Sequence, residues 1–398
     1  MSEMLTQKVM AEVDKWIEPD PESEFVETGN IGFDMAVSNG KGLPLGSSIL
    51  FWSGPGCGKT TLFADISKRL IRTYKAKGEP FKVLYLAVEG SKELMKSLGL
   101  GEYMDSRDFI YVEKRFSWSQ IELLYEAVLE GKEKYKDVKV IVIDSINNVL
   151  SDQKIKNSVA SGDYGTQAKE RNNFWSKYLP ICKEKKISTF MVAQMRQKQN
   201  AVAFGTQEKA AASFSDLHNA DAIFKCVRKT QNKDSEKIIT KTAFGETKDL
   251  SKYVLMLDPT NEQSKNRIAR TYQCELLLEK GVGVHNYYVV RKMLVYHKFL
   301  KESSGWYTFG KELVNGFGLT DKKLRFEDVN AVIQEHIEEL VSFLKEVNCY
   351  SIVASDQTIK TSTLNASLDS DDEDDVENSG EEDTFSAYDE TEDEEDEE

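Results

Sequence analysis

The chain has 398 residues, 40% of them hydrophobic, enough for one large core with a smaller unit appended. Its formal charge of −15 is local: residues 367–398 hold nineteen Asp or Glu and no Lys or Arg, leaving 52 basic against 48 acidic residues elsewhere. The charged first twenty residues argue against a secretory leader, and no apolar run reaches the roughly 18–20 residues a membrane span needs. Five cysteines lie scattered more than forty residues apart. That spacing argues against a disulfide framework or a zinc knuckle and for reduced, cytosolic thiols.

The first element in chain order is a short helix over 4–17. It places Leu5, Val9, Val13, Trp16 and Ile17 on one face, ahead of the acidic linker EPDPESE (18–24). It packs either on its own subunit or on a neighbour. From about 30 to 230 apolar, β-prone runs recur: SSILFWS (47–53), FKVLYLAV (81–88), DFIYVE (108–113), VKVIVIDS (138–145) and ISTFMVA (187–193). Helical stretches lie between them at 60–74, 117–129 and 167–183. Such alternation predicts an α/β fold with a mostly parallel central sheet covered on both faces. In such sheets ligands bind beyond the carboxyl ends of the strands. Two long polar segments, 150–166 and 195–216, interrupt the rhythm, and loops of that length are functional or disordered. Strands at 251–258 and 270–279 and helices at 286–301 and 326–347 follow. The last residues form an S/T-rich linker and the acidic tail, a like-charge block expected to stay disordered. The tail either solubilises the chain or mimics nucleic acid and competes for the basic surface of the body.

FWSGPGCGKTTLF (51–63) carries the chemistry. Residues 53–61 (Ser53, Gly54, Pro55, Gly56, Cys57, Gly58, Lys59, Thr60, Thr61) follow a strand and open a helix, the setting of a phosphate-binding loop. Its amides surround a β-phosphate, Lys59 reaches the β- and γ-phosphates, and Thr60 ligates Mg²⁺. Ser53 stands where the common pattern has glycine. It is small enough for a tight exit from the strand. VIVIDS ends in Asp144, a carboxylate able to hold Mg²⁺ through water at a spacing ordinary for nucleotidases. Glu89 ends VLYLAVE, where a carboxylate can take a proton from attacking water. A surface turn is the plainer role for it. Gln194 ends ISTFMVAQ, where an amide can sense a γ-phosphate and transmit its loss. A capping role is the plainer one.

Taken in order, ETGNIGFDMAVSNGKGLPLG (27–46), the phosphate loop, LAVEG, VIVIDS, SGDYGTQAKERNNFW, MVAQMR, Phe204-Gly205 and SGWYTFGKE resemble the RecA-type recombinases. The likeness includes phage relatives and runs over roughly residues 5–348. It implies a RecA-like P-loop ATPase core. The N-terminal oligomerisation helix and linker occupy 1–26 and the core with its DNA-binding loops 27–280. A small C-terminal α/β domain follows at 281–350, then a linker and acidic tail at 351–398. The implied activity is a single-stranded-DNA-dependent ATPase using ATP and Mg²⁺. It forms helical homo-oligomeric filaments and catalyses homologous pairing and strand exchange with duplex DNA. Lys59, Glu89 and Gln194 act in catalysis, and Thr60 and Asp144 hold the metal.

The same resemblance makes the two long segments DNA-binding loops. Lys154, Lys156, Lys169, Arg171, Arg196, Lys198 and Lys209 then meet phosphates, and Val202, Phe204 and Phe214 meet bases. It also implies an autoinhibitory tail, cytoplasmic location, and single-strand-binding and mediator proteins as partners. Lys252, Lys265, Arg267 and Arg270 are candidates for cations that reach ATP from a neighbouring protomer. A RecA-fold hexameric helicase and an ATP-binding DNA-loading protein without strand exchange are the alternatives.

Overall fold

The computed structural model describes residues 23–152, 164–197, 208–229, 236–242, 245–269 and 273–347, all within one compact unit. The expected N-terminal helix, the acidic tail and parts of both expected loops lie outside them. Phe25–Val26 (β1) pairs antiparallel with Leu43–Pro44 (β2) around helix α1 (Ile31–Ser38). The next strands, β3 (Ser48–Ser53), β4 (Lys82–Ala87), β5 (Phe109–Glu113), β6 (Val138–Asp144) and β7 (Ser188–Gln197), match the five apolar runs.

Both faces of these strands are buried, which is why they read as unbroken apolar runs rather than alternating ones. Ile49, Phe51, Val83, Tyr85, Val140 and Val142 point into one core. The intervening Leu50, Trp52, Leu84, Leu86, Ile141 and Ile143 point into the other. Helix α2 (Lys59–Ala76) covers the first face with Leu62, Phe63, Ile66 and Leu70. Helices α3 (Lys92–Met95) and α4 (Gly101–Asp105) flank a single irregular turn beside it. The second face is covered by α5 (Trp118–Leu129), begun by a Ser117/Gln120 capping box, and α6 (Tyr164–Glu184).

Chain order continues with β8 (Glu208–Ala210), α7 (Phe214–Asn219), β9 (Ala222–Lys229), β10 (Glu236–Thr242), β11 (Gly245–Asp258), β12 (Lys265–Asn266), β13 (Cys274–Glu279) and β14 (Gly283–His285). The large sheet runs β14-β13-β11-β9-β3-β7-β6-β4-β5. From β9 to β5 every pairing is parallel, and β11, β13 and β14 extend it antiparallel. The fold is therefore α/β with a mostly parallel central sheet. Since β14 still belongs to that sheet, residues beyond 280 grow directly from the core. Helix α8 (Asn286–Tyr296) is followed by the hairpin β15 (Leu300–Ser303) and β16 (Trp306–Phe309), then α9 (Lys311–Phe317), α10 (Phe326–Glu335) and α11 (Ile337–Glu346). The expected helix over 286–301 thus stops at Tyr296. Lys298 turns the chain with φ 66 and Leu300 opens a strand.

Near the start of the core, Asp34 is buried in α1 and accepts from Thr28 Oγ1 at 2.6 Å and Thr28 N at 3.1 Å. Burial, only partly offset by those hydrogen bonds, pushes its carboxyl up to about 7. A folded-state value above the unfolded one penalises the ionised folded form. Stability from this site is full below about pH 4 and is lost as pH rises through 7. Asp34→Asn should therefore gain on the wild type, by on the order of 2 kcal/mol, between pH 5 and 8. Urea unfolding at both pH values checks this; a pH-independent difference between the two proteins would contradict it.

Candidate functional site

The carboxyl ends of β3, β7, β6 and β4 lie side by side, and register brings Ser53 opposite Gln194 and Ala87 opposite Asp144. The turn joining β3 to α2 is built on glycine where glycine is needed. Gly58 has φ 91, and a Cβ there would fall 2.4 Å from the Tyr253 hydroxyl. Gly56 has φ 70, with open space where its side chain would be. Gly58 caps α2 without a side chain, so the first-turn amides have no side-chain acceptor and their positive end faces the turn. Lys59 Nζ reaches back over the loop to Ser53 Oγ (2.7 Å), Ser53 O (3.2 Å) and Gly54 O (3.2 Å). The serine that departs from the usual pattern thus helps hold the ammonium. From the far side, Arg228 stacks 4.3 Å from the Tyr253 ring and donates to Gly56 O at 3.4 Å.

Thr60 Oγ1 donates to Asp144 Oδ2 at 2.8 Å, and the Tyr85 hydroxyl donates to the same oxygen at 2.6 Å. Burial raises the Asp144 carboxyl above its ordinary value, opposed by these two hydrogen bonds and the Lys59 charge. Burial beside that carboxylate drives the Tyr85 hydroxyl far upward, so it remains a donor. No group of three or more His, Cys, Asp or Glu is gathered to hold a metal among the described residues. The donors fit Mg²⁺ nonetheless, an ion held by one or two protein oxygens together with substrate phosphates and water. They also fit a polyphosphate, through the uncapped amides, Lys59 and the open side of Gly56.

Glu89 follows β4, its turn fixed by hydrogen bonds from Val88 N and Glu89 N to the Asp144 carbonyl. Its exposed carboxylate accepts from Gln194 Nε2 at 2.8 and 2.9 Å and from Asn148 Nδ2. Glu89, Asp144, Gln194 and the phosphate loop thus lie together at one end of the sheet. Sequence reading passed over Tyr85, Arg228, Tyr253 and the pair Asn147-Asn148. For the asparagines the signal was the polar INN directly after the buried strand and Ser145.

The segment expected as a loop from 195 begins as strand. Strand β7 runs on through Gln197 and pairs with β8, placing Arg196 directly opposite Lys209. Both side chains are exposed, and like charges facing each other across a hairpin destabilise it unless an anion lies between them. Lys169 is exposed on α6. Phe214 opens α7, while Lys154, Lys156, Lys198, Val202, Phe204 and Arg270 lie outside the described residues. Lys252 pairs with Glu279 at 3.6 Å, and Lys265 donates to His218 O at 2.9 Å.

Arg171 corrects the expectation of a DNA contact. It is buried, donating to Asp216 Oδ2 at 2.9 Å and Ile146 O at 3.1 Å beneath the Trp118 ring. Asp216, fully buried, also accepts from Trp175 Nε1 (2.5 Å) and Ser213 N (2.6 Å). The pair ties α6, which begins at the end of the first polar segment, to α7, which begins at the end of the second. Asp216→Ala leaves a buried guanidinium uncompensated and should cost about 3–5 kcal/mol of stability. A urea midpoint unchanged from wild type would refute that.

A family model described as "AAA domain" matches residues 38–196, the span of β3 through β7. The RecA protein of Mycoplasma genitalium is 23% identical over 84% of this chain and 89% of its own length. That of Mycoplasma pneumoniae is 22% identical over 79% and 87%. The chain resembles the RecA-type recombinases. A third relative, the DNA repair protein RadA of Campylobacter jejuni, is 30% identical over 41% of this chain and 32% of its own length. The AAA match takes in the phosphate loop and the strand ends carrying Glu89, Asp144 and Gln194, and together with the RecA relatives it supports an ATPase in general. No helix among the described residues is long and apolar enough to cross a membrane.

Proposed function

We propose that the chain is a single-stranded-DNA-dependent ATPase that assembles as a helical filament on that DNA and catalyses homologous pairing and strand exchange. The observation that carries this reading is the double contact of Gln194 with Glu89. One end of Gln194 touches the candidate base, and its backbone begins the hairpin bearing Arg196 and Lys209.

In this reading the backbone N–H groups of 56–61 and the Lys59 ammonium bind the phosphates of ATP. Thr60 and Asp144 hold Mg²⁺, which when bound supplies neutralising charge. Glu89 orients water and takes its proton. Gln194 shifts between Glu89 and the γ-phosphate, so the hairpin gains one position with ATP and another after hydrolysis. DNA and ATP then strengthen each other's binding reciprocally. The N-terminal arm docks on the neighbouring protomer, and the acidic tail competes with DNA for the basic surface. Single-strand-binding and mediator proteins act on the filament in the cytoplasm.

The test is joint-molecule formation between single-stranded DNA and homologous duplex, with ATP and with a slowly hydrolysed analogue. Joint molecules and filaments are expected with both. Closed rings without filaments would favour a helicase-type motor. ATP turnover indifferent to single-stranded DNA would leave a loading protein.

A further inference from the structure

The turn after β6 holds two adjacent amides that face different partners. Asn147 Oδ1 accepts the Gln194 N–H at 2.7 Å, and Asn147 Nδ2 donates to the Ala211 carbonyl. Ala211 N in turn donates to Gln194 O at 2.7 Å. These three bonds close a ring around both stems of the hairpin. Asn148 Nδ2 donates to Glu89 Oε1 and to Ser145 Oγ at 3.3 Å. Gln194 completes the circuit, since its side chain also lies on Glu89.

The chemistry at Asn147 is specific. The β6–β7 ladder ends at Asp144 opposite Val192, so the Gln194 amide lies past its last partner on that side. One stem offers an N–H and the other a C=O. A side-chain amide carries an acceptor and a donor on separate atoms, so one residue serves both stems. Apolar packing would fill the same space without reading either stem. The exit helix of the first polar segment leans on the same turn, through Gln167 Nε2 to Val149 O at 2.6 Å and Arg171 to Ile146 O.

We propose that Asn147 is a positioning residue that couples the hairpin stems at 194–197 and 208–211 to the hydrolytic carboxylate. It fixes both hairpin stems to the turn whose next residue, Asn148, holds Glu89. A displacement of the hairpin by bound polyanion is transmitted to Glu89, and a displacement of Gln194 at the phosphate end is transmitted to the Ala211 stem. The inference rests on the DNA-dependent ATPase reading above.

The experiment compares the full chain with Asn147→Ala. ATP turnover is measured without and with an oligo-dT strand, and oligo-dT affinity is measured with a slowly hydrolysed ATP analogue and with ADP. Basal turnover is expected within about twofold of wild type, while the stimulation ratio falls by about tenfold, within the usual span of coupling between sites. The preference of oligo-dT for the ATP-analogue form over the ADP form should fall in proportion, because coupling is reciprocal. A merely structural role would lower basal and stimulated turnover together, and that result would overturn the proposal. Asn147→Asp keeps the acceptor for Gln194 but replaces the donor to Ala211 with a carboxylate oxygen that repels that carbonyl. It is expected to lose coupling as well, and it decides the matter if the alanine variant does not fold. Wild-type stimulation and nucleotide preference in a folded variant would overturn the inference alone. A wild-type chain that oligo-dT does not stimulate would overturn the functional reading with it.

Discussion

Glu89→Gln is expected to bind ATP and single-stranded DNA like the wild type while hydrolysing ATP at least about a hundredfold more slowly, the usual range for loss of a general base. The substitution is nearly isosteric, and the surroundings accommodate it. Gln194 Nε2 and Asn148 Nδ2 both donate to Glu89, and the remaining amide oxygen can still accept from one of them. The turn itself is set by backbone bonds to the Asp144 carbonyl, which the substitution does not touch. Binding geometry should therefore survive and only the proton acceptor be lost. Single-turnover hydrolysis with DNA present isolates that step from product release. Turnover at the wild-type rate would remove Glu89 from the mechanism. Weakened nucleotide or DNA binding of similar size would make it a structural residue instead.

How much of this was legible depends on whether the determining interactions are local. The five parallel strands were legible because burial on both faces leaves mostly apolar residues in their central positions. The phosphate loop was legible because Gly56 and Gly58 sit at positive φ and the helix start lies within a few residues. The end of α8 was not, because the chain turns at Lys298 in a left-handed conformation usually marked by glycine. The extension of β7 through the polar Met195-Arg196-Gln197 was hidden because its partner, β8, depends on pairing across an intervening segment. Arg171 was misread from its charge and its place beside an expected DNA-binding loop, although helical spacing supplied the correction. Positions 171, 174, 175 and 178 share one face, and Phe174, Trp175 and Tyr178 mark that face as core. The Asn147 clamp joins positions 147, 194 and 211, and only the folded sheet brings them together.

Lys59→Ala should weaken ATP binding by roughly ten- to a hundredfold, the span expected when charge-assisted hydrogen bonds of about 1.5–3 kcal/mol are removed. ATP-dependent assembly on DNA should disappear at nucleotide concentrations that saturate the wild type. The fold has little reason to suffer. Lys59 is half-buried, and its bonds go to groups of its own loop, Ser53 Oγ and the carbonyls of Ser53 and Gly54. Alanine is also the better helix former at the first position of α2. Ser53→Gly is the informative companion, because it restores the common loop pattern and deletes the hydroxyl that holds the ammonium. The lost bond is charge-assisted, but the carbonyls of Ser53 and Gly54 still accept from the Lys59 ammonium, so affinity should change only severalfold and less than in Lys59→Ala. Nucleotide titration of both variants, with filament formation read by electron microscopy, separates the cases. Normal ATP-dependent filaments in Lys59→Ala would overturn the assignment of the loop. A loss in Ser53→Gly as deep as in Lys59→Ala would mean that the hydroxyl itself binds phosphate rather than serving the lysine.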